Sequence, residues 1–384
     1  MEFTFATVPQ LVCSQGAVAR AAEFAQRRRL QRILVVADPG VVKAGLVQSL
    51  LDSLASARLD YALFTEVEPD PGEHIVTHAY QKARDFGAQM VIGIGGGSSL
   101  DVAKLAAYFA DSAETLRQII GVEQAKGRRL PLVLIPTTAG TGSEVTPIAI
   151  VTLSDQTKGG VVSSLLLPDL ALLDPDLTLS LPPAVTAHTG VDAMVHAIEA
   201  YTSKVRKNPL SDSLSLRALR LLHDNIRTAF HDGRNVPARQ NMLLGACLAG
   251  MAFANAPVAA VHALAYPLGG LFHMPHGLSN AVVLTEVLRF NRDAALSQYA
   301  DLGRALGATA TADAAAADYL FAALDALLVD LKIDIRLGSY GIAESDLDRL
   351  AEDALRQQRL LVNNPREVTL ADARTIYGRR LAAG

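Results

Sequence analysis

Cysteine is scarce in this chain. Cys13 and Cys247 are the only two and form no CxxC pair, which excludes a disulfide framework and fits a reducing compartment. Positive charge is not in excess either. The 35 Lys and Arg set against 39 Asp and Glu leave a formal charge of −4, which argues against the basic surface that nucleic-acid binding demands. The one dense basic cluster, Arg27-Arg28-Arg29 with Arg32, suits the end of a surface helix, where cations meet the negative pole of the backbone dipole. No uninterrupted apolar run approaches the roughly 20 residues of a membrane span. The first residues, Met1-Glu2-Phe3-Thr4-Phe5, have neither the basic region nor the apolar core of a secretory signal. The expectation is a cytoplasmic protein with no nucleic-acid and no membrane partner.

What is present suits a compact folded chain: half the residues are hydrophobic and 19% are charged. At 384 residues two domains are expected, with ample core and no need of cross-links. From Arg32 onward, aliphatic runs at 33–36, 61–64, 90–94 and 132–135 read as buried strands. Helices are expected between them, from about Asp38 through Leu54, over 72–86 and over 99–110. Residues 3–12 are expected to add an edge strand, and the runs 148–151 and 170–173 to finish the sheet. This β-α-β rhythm predicts an α/β, Rossmann-like domain with a doubly wound parallel sheet and ligands at the strand carboxyl ends. The proline-punctuated stretch from Asp174-Pro175 to Leu181-Pro182-Pro183 marks a boundary at 181/182. Beyond it the chain reads as all-α, with helices expected near 185–203, 210–230, 236–255, 279–290, 293–305, 312–331 and 344–356. Such a helical domain would form one wall of a ligand cleft and the α/β domain the other.

Two polar loops carry candidate cofactor chemistry. Gly93-Ile94-Gly95-Gly96-Gly97-Ser98-Ser99-Leu100-Asp101-Val102-Ala103-Lys104 fits neither GxGxxG nor GxxxxGK[ST]. It still runs a strand into glycines and a helix N-terminus, where backbone N–H groups meet phosphate. Ser98 or Ser99 is expected to cap that helix. The plainer reading is a tight glycine turn. Pro136-Thr137-Thr138-Ala139-Gly140-Thr141-Gly142-Ser143-Glu144 follows the next strand, and its hydroxyls suit ribose, phosphate and carboxamide. Asp38 ends the first strand, where an acid accepts from ribose hydroxyls and repels a 2′-phosphate, favouring NAD over NADP. It also suits a helix N-cap.

In the second half, Asp192 and His196 lie four residues apart in an apolar helix, on one face and one turn apart. Taken alone they fit a helix with an N-terminal acid and one buried, hydrogen-bonded histidine. His262, His273 and His276 fall within 15 residues of one another, in a chain with nine histidines. With Asp192 and His196 they offer a carboxylate and several imidazoles, a donor set that suits Fe(II) or Zn(II).

Taken together, these segments resemble the iron-containing (group III) alcohol dehydrogenase family nearly end to end: Asp38, residues 93–104, 136–144, Lys158, 190–203 and 262–277. The resemblance implies metal ligands at Asp192, His196, His262 and His276. It implies NAD contacts at Asp38, Gly97, Ser98, Thr138 and Lys158, with Thr137, Thr141 and Ser143 nearby and Gly95, Gly96 and Asp101 in the same glycine segment. The architecture implied is that of the dehydroquinate synthase type: a dinucleotide-binding α/β domain over 1–181 and a helical metal- and substrate-binding domain over 182–384, usually in a homodimer. The activity implied is reversible hydride transfer between a small alcohol or aldehyde and NAD(H), with Fe(II), or alternatively Zn(II), as cofactor. Many members have a second histidine where this chain has Tyr266, and Asn or Asp where it has His273, so the proton donor is left between Tyr266, His273 and metal-bound water. Maleylacetate reductases, hydroxyacid–oxoacid transhydrogenases and dehydroquinate-synthase-like lyases stay open as neighbouring activities. The complete ligand set counts against the first of these.

Overall fold

The computed structural model describes residues 2–154 and 158–382. The chain divides into two compact units, one of residues 6–180 and one of residues 181–384 joined by the first five. In the first unit the strands are β1 (Leu11–Cys13), β2 (Arg32–Val36), β3 (Asp60–Phe64), β4 (Met90–Gly95), β5 (Gly121–Val122), β6 (Leu132–Pro136), β7 (Ile148–Thr152), β8 (Lys158–Val162) and β9 (Leu170–Leu173). The helices are α1 (Arg20–Arg27), α2 (Pro39–Lys43), α3 (Gln48–Ser56), α4 (Glu73–Phe86), α5 (Gly97–Asp111) and α6 (Leu116–Ile119).

Six strands form the main sheet in the order β1-β9-β6-β4-β2-β3, and every neighbouring pair is parallel. The aliphatic runs of β2, β4, β6 and β9 do not alternate because both faces are covered. Leu34 and Val36 face a core that includes Ile75 and Ala79 of α4 and Leu100 and Leu105 of α5. Ile33 and Val35 face the opposite core, with Phe24 of α1 and Leu50 and Leu54 of α3. The chain leaves β2 for β3 on one side and returns through α4 to β4 on the other. The carboxyl ends of β2 and β4 therefore form the topological switch point, where open α/β sheets bind ligands.

Three expectations are corrected. The edge strand expected over 3–12 is only Leu11–Cys13, which pairs with β9 from Leu11↔Ala171 to Cys13↔Leu173. The helix expected through Leu54 is broken into α2 and α3 around Gly45, whose φ of 73° suits a residue without a Cβ. The run 148–151 does not finish the main sheet. It lies in β7, antiparallel to β8 in a separate three-stranded sheet with β5, and its alternating burial marks a strand with one covered face.

Among its described residues the second unit is helical: α7 (Pro183–Thr202), α8 (Pro209–His231), α9 (Val236–Asn255), α10 (Ala260–Phe272), α11 (His276–Asn291), α12 (Leu296–Ala305), α13 (Asp313–Asp330), α14 (Leu347–Leu355), α15 (Gln358–Leu361) and α16 (Leu370–Ala382). Local chemistry sets the starts: Asn208 caps α8 through Leu210 and Ser211, with Pro209 in the first turn. Neither α10 nor α16 was expected. Pro267 sits inside α10, where it removes a backbone donor. The buried Tyr377 of α16 donates to the Leu264 carbonyl in that disturbed turn, at 2.6 Å. No single helix among the described residues is long and apolar enough to cross a membrane.

Candidate functional site

Three helices bring the proposed ligands together. Asp192 and His196 project from successive turns of α7, His262 lies in the first turn of α10, and His276 opens α11. His262 Nε2 is 3.1 Å from His196 Nε2 and 3.8 Å from Asp192 Oδ1. His276 Nε2 is 3.5 Å from the same oxygen. An ion bound tetrahedrally at 2.0–2.2 Å sets its donors about 3.4 Å apart, and these separations bracket that value. Asp192, His196 and His262 are buried, whereas the His276 side chain is 45% exposed. The cluster is therefore reached from the His276 side.

The surroundings hold the donors in place. The His196 ring is stacked between Phe253, at 4.3 Å between centroids, and His262, at 4.8 Å. Burial alone would raise the pKa of Asp192, but the charges of His196, His276 and His262, together with the Asn280 amide, hold it below its ordinary value. Asn280 Nδ2 donates to Asp192 Oδ1 at 2.6 Å and lies 3.4 and 3.3 Å from Nε2 of His262 and His276. Its buried Oδ1 has no partner among the described residues. A carboxamide aimed at this donor set, with an acceptor to spare, fits a site built around a cation. Gly277 brings α11 against α7. A Cβ there would stand 2.2 Å from the His188 carbonyl oxygen, so only glycine lets His276 come this near.

Two further side chains could act on a proton. Tyr266 is one turn beyond His262 on α10, and its ring centroid is 6.0 Å from that of His276. His273 is exposed and takes a left-handed φ of 56° at the end of α10. Among the described residues no hydrogen bond or ring contact joins it to the cluster.

The two polar loops meet in the first unit. Helix α5 starts after Gly96, which has no capping side chain. Ser98 and Ser99 lie inside the first turn, and the expected serine cap is absent. That leaves the leading N–H groups of a 15-residue helix without a side-chain acceptor, the arrangement that binds anions. Ser99 instead donates to Asp38 Oδ2 at 3.1 Å, while Asp38 Oδ1 accepts from Val41 N at 2.9 Å and caps α2. A Cβ on Gly97 would lie 2.9 Å from Thr141 Cγ2, and Thr137 N donates to the Gly95 carbonyl at 3.0 Å. Asp38, Gly96, Gly97, Ser98, Thr138 and Thr141 keep some exposure, whereas Gly95, Thr137 and Ser143 are buried beneath them.

Below the loops lies a network that sequence reasoning did not find. Lys104 is fully buried, and its ammonium donates to Ser143 Oγ at 2.7 Å, Thr146 Oγ1 at 3.2 Å and the Ile148 carbonyl at 2.6 Å. Asp101 accepts from Ser143 Oγ at 2.6 Å and from Ile150 N at 2.9 Å, so both its oxygens serve the protein. Lys158, at the start of β8, gives its ammonium to Asp70 at 2.5 Å and Thr152 at 2.9 Å. Among the described residues no hydrogen bond joins it to the glycine turn. Glu199 also went unread. It follows His196 by three residues, so the same helical face that pointed to the ligands carries it.

Comparison with known proteins agrees with this geometry. Residues 9–175 match the family described as iron-containing alcohol dehydrogenase. Residues 186–381 match the C-terminal domain of the Fe-containing alcohol dehydrogenase family. The chain is 42% identical over 367 residues to long-chain-alcohol dehydrogenase 1 of Geobacillus thermodenitrificans, covering 94% of this chain and 92% of that one. Among solved structures it is similar to 1,3-propanediol oxidoreductase, with 35% identity, a TM-score of 0.96 and coverage of 99% of this chain and all of the other. It is also similar to sulfoacetaldehyde reductase from Bifidobacterium kashiwanohense, solved with NAD+, with 28% identity, a TM-score of 0.91 and full coverage of both chains. With both halves matched and a relative this similar over nearly its whole length, the chain belongs to the iron-containing alcohol dehydrogenase family.

Proposed function

We propose that the protein moves hydride reversibly between a small alcohol or its aldehyde and NAD(H). In this reading a divalent ion, Fe(II) or alternatively Zn(II), is held by Asp192, His196, His262 and His276. The observation that carries the proposal is the convergence of Asp192, His196 and His262, whose ligand atoms all lie within 4.8 Å of one another, with His276 Nε2 3.5 Å from Asp192 Oδ1 at the exposed side. When bound, the ion supplies Lewis acidity toward the reacting oxygen, and NAD(H) supplies or accepts the hydride.

This chain's own residues do the remaining work. The uncapped N–H groups of α5 donate to a diphosphate, which the bare backbone of Gly96 and Gly97 lets approach. Ser98, Thr138 and Thr141 offer hydroxyls at the exposed surface of the loops, while Gly95, Asp101, Thr137 and Ser143 support them from below. Asp38 accepts from ribose hydroxyls and repels a 2′-phosphate, which favours NAD. Lys158 joins only by leaving Asp70 and Thr152. Tyr266, beside His276, is better placed than His273 to hold a proton at its phenolic oxygen. Residues 1–181 then act as the dinucleotide-binding domain and residues 182–384 as the metal- and substrate-binding domain. Family resemblance supports a homodimer, and the scarcity of cysteine suits the cytoplasm.

The relatives are named for long-chain alcohols, 1,3-propanediol and sulfoacetaldehyde. They share an alcohol or aldehyde carbon, and that is the substrate class proposed. The test is NADH absorbance with the protein reloaded with Fe(II) or Zn(II), across alcohols and aldehydes from short to long chain. Failure of every substrate with either metal would overturn the proposal. Gly97→Ala tests the cofactor loops separately. Its Cβ presses on Thr141 and adds bulk where the diphosphate is proposed to approach the backbone, so NADH is expected to bind about tenfold more weakly with metal content unchanged. Fluorescence titration and metal analysis read the two effects, and NADH affinity equal to the parent's would count against this placement of the cofactor.

A further inference from the structure

We infer that Glu199 is a positioning residue: it fixes which nitrogen of His262 faces the ligand cluster, and so sets how tightly a divalent ion is held there. This rests on the metal reading proposed above. Glu199 lies seven residues beyond Asp192 on α7 and is 3% exposed. A carboxylate so buried needs partners for both oxygens. Oε1 accepts from the backbone N–H of Val261 at 2.6 Å, and Oε2 lies 2.7 Å from His262 Nδ1.

Both partners belong to the first turn of α10. The residue before that turn, Ala259, has no side chain able to cap it. Glu199 therefore does from α7 what a capping side chain does locally. It takes an orphan N–H and sets negative charge at the positive pole of the helix.

The consequence for His262 follows from donor and acceptor chemistry. An ionised carboxylate only accepts, so Nδ1 must carry the proton. Nε2 of the neutral ring then keeps its lone pair, and Nε2 is the nitrogen 3.1 Å from His196 and 3.8 Å from Asp192. The other tautomer would turn an N–H toward the cluster and lose that ligand. One carboxylate grips both the backbone and the ring, so the orientation of the imidazole is held along with its tautomer.

Glu199→Gln tests this at nearly constant shape. A carboxamide presents one acceptor oxygen, so it serves Val261 N–H or His262 Nδ1–H but not both. The measurement titrates full-length apoprotein with Zn(II) against a competing chelator, and with Co(II), whose visible absorption reports the ligand field. Zn(II) affinity is expected to fall about 10–100-fold, with a changed Co(II) spectrum and unchanged NADH affinity. A variant that loses only thermal stability, with Zn(II) affinity and Co(II) spectrum equal to the parent's, overturns the inference and leaves Glu199 a helix cap. If Glu199→Gln does not fold, Glu199→Asp keeps the charge but is one methylene short. It is expected to weaken Zn(II) by about tenfold or more, and parental affinity overturns the inference. A parent protein that binds no stoichiometric Zn(II) or Co(II) overturns the metal reading itself.

Discussion

Asp192→Ala and His262→Ala are each expected to lower turnover by about a thousandfold or more while leaving NADH binding nearly unchanged. Lewis-acid stabilisation of developing charge contributes several kcal/mol, and each 1.36 kcal/mol is a factor of ten in rate. Asp192 supplies the only carboxylate of the donor set, and its Oδ1 lies within 4 Å of Nε2 of both His262 and His276. Its removal takes away the negative charge that the imidazoles and Asn280 surround. His262→Ala removes a ligand from the middle of the set and also leaves the Glu199 carboxylate with one partner fewer. That variant should therefore lose stability as well as metal, whereas Asp192→Ala removes its own buried charge.

The cofactor arm of this prediction follows from where the residues sit. The glycine turn and threonine loop belong to residues 6–180, and all four proposed ligands to residues 181–384. Loss of a ligand should therefore leave the NADH affinity of the loops within about threefold, or under 0.7 kcal/mol. Metal analysis, NADH fluorescence titration and steady-state turnover on the same samples separate the effects. Turnover within tenfold of the parent's in a variant shown to hold no metal would refute the proposed role of the ligands.

The α/β half was legible because its central strands are buried on both faces. Strands β2, β3, β4 and β6 read directly as aliphatic runs. Strand β1 did not, because only two of the ten residues expected to pair, Leu11 and Val12, do so. Strand β7 is a one-sided strand, and a short run of apolar residues does not tell which sheet it will join. Helix α10 was missed because Pro267 is a helix breaker by every local rule. Helix α16 itself buries Ala373, Ile376, Tyr377 and Arg380, a helical face whose fourth member is charged and so breaks the apolar pattern. At the site, the four-residue spacing and the histidine window marked the ligands. Their supports were not visible, because Glu199 acquires meaning from His262, 63 residues away, and Asn280 from its bond to Asp192, 88 residues away.

Lys104 shows the same limit most sharply, and it carries the other large prediction. In the sequence it is a helix lysine of the kind that usually lies in solvent. In the structure it is fully buried and ties α5 to the loop that bears Ser143 and Thr146. Lys104→Met keeps the length but removes every donor. Asp101 is left without its cation 3.4 Å away, and the Ile148 carbonyl without its 2.6 Å donor. Breaking a buried pair by removing one partner costs about 3–5 kcal/mol, and that loss should appear in chemical denaturation of the first unit. Adding Asp101→Asn removes the stranded charge, so the double variant should recover part of the loss. The pH dependence has a definite sign. Desolvation lowers the Lys104 pKa below its ordinary 10.5, although Asp101 and Glu144 oppose the shift. Between the folded value and 10.5 the unfolded chain binds the extra proton, so this group's contribution to stability grows as pH rises through that window and is lost as pH falls through the folded value. The stability gap between the parent and Lys104→Met should therefore widen toward pH 10.5. A variant as stable as the parent at neutral pH would show that Lys104 does not hold the second loop beneath Thr141, and a gap that narrows with rising pH would show that burial does not lower its pKa.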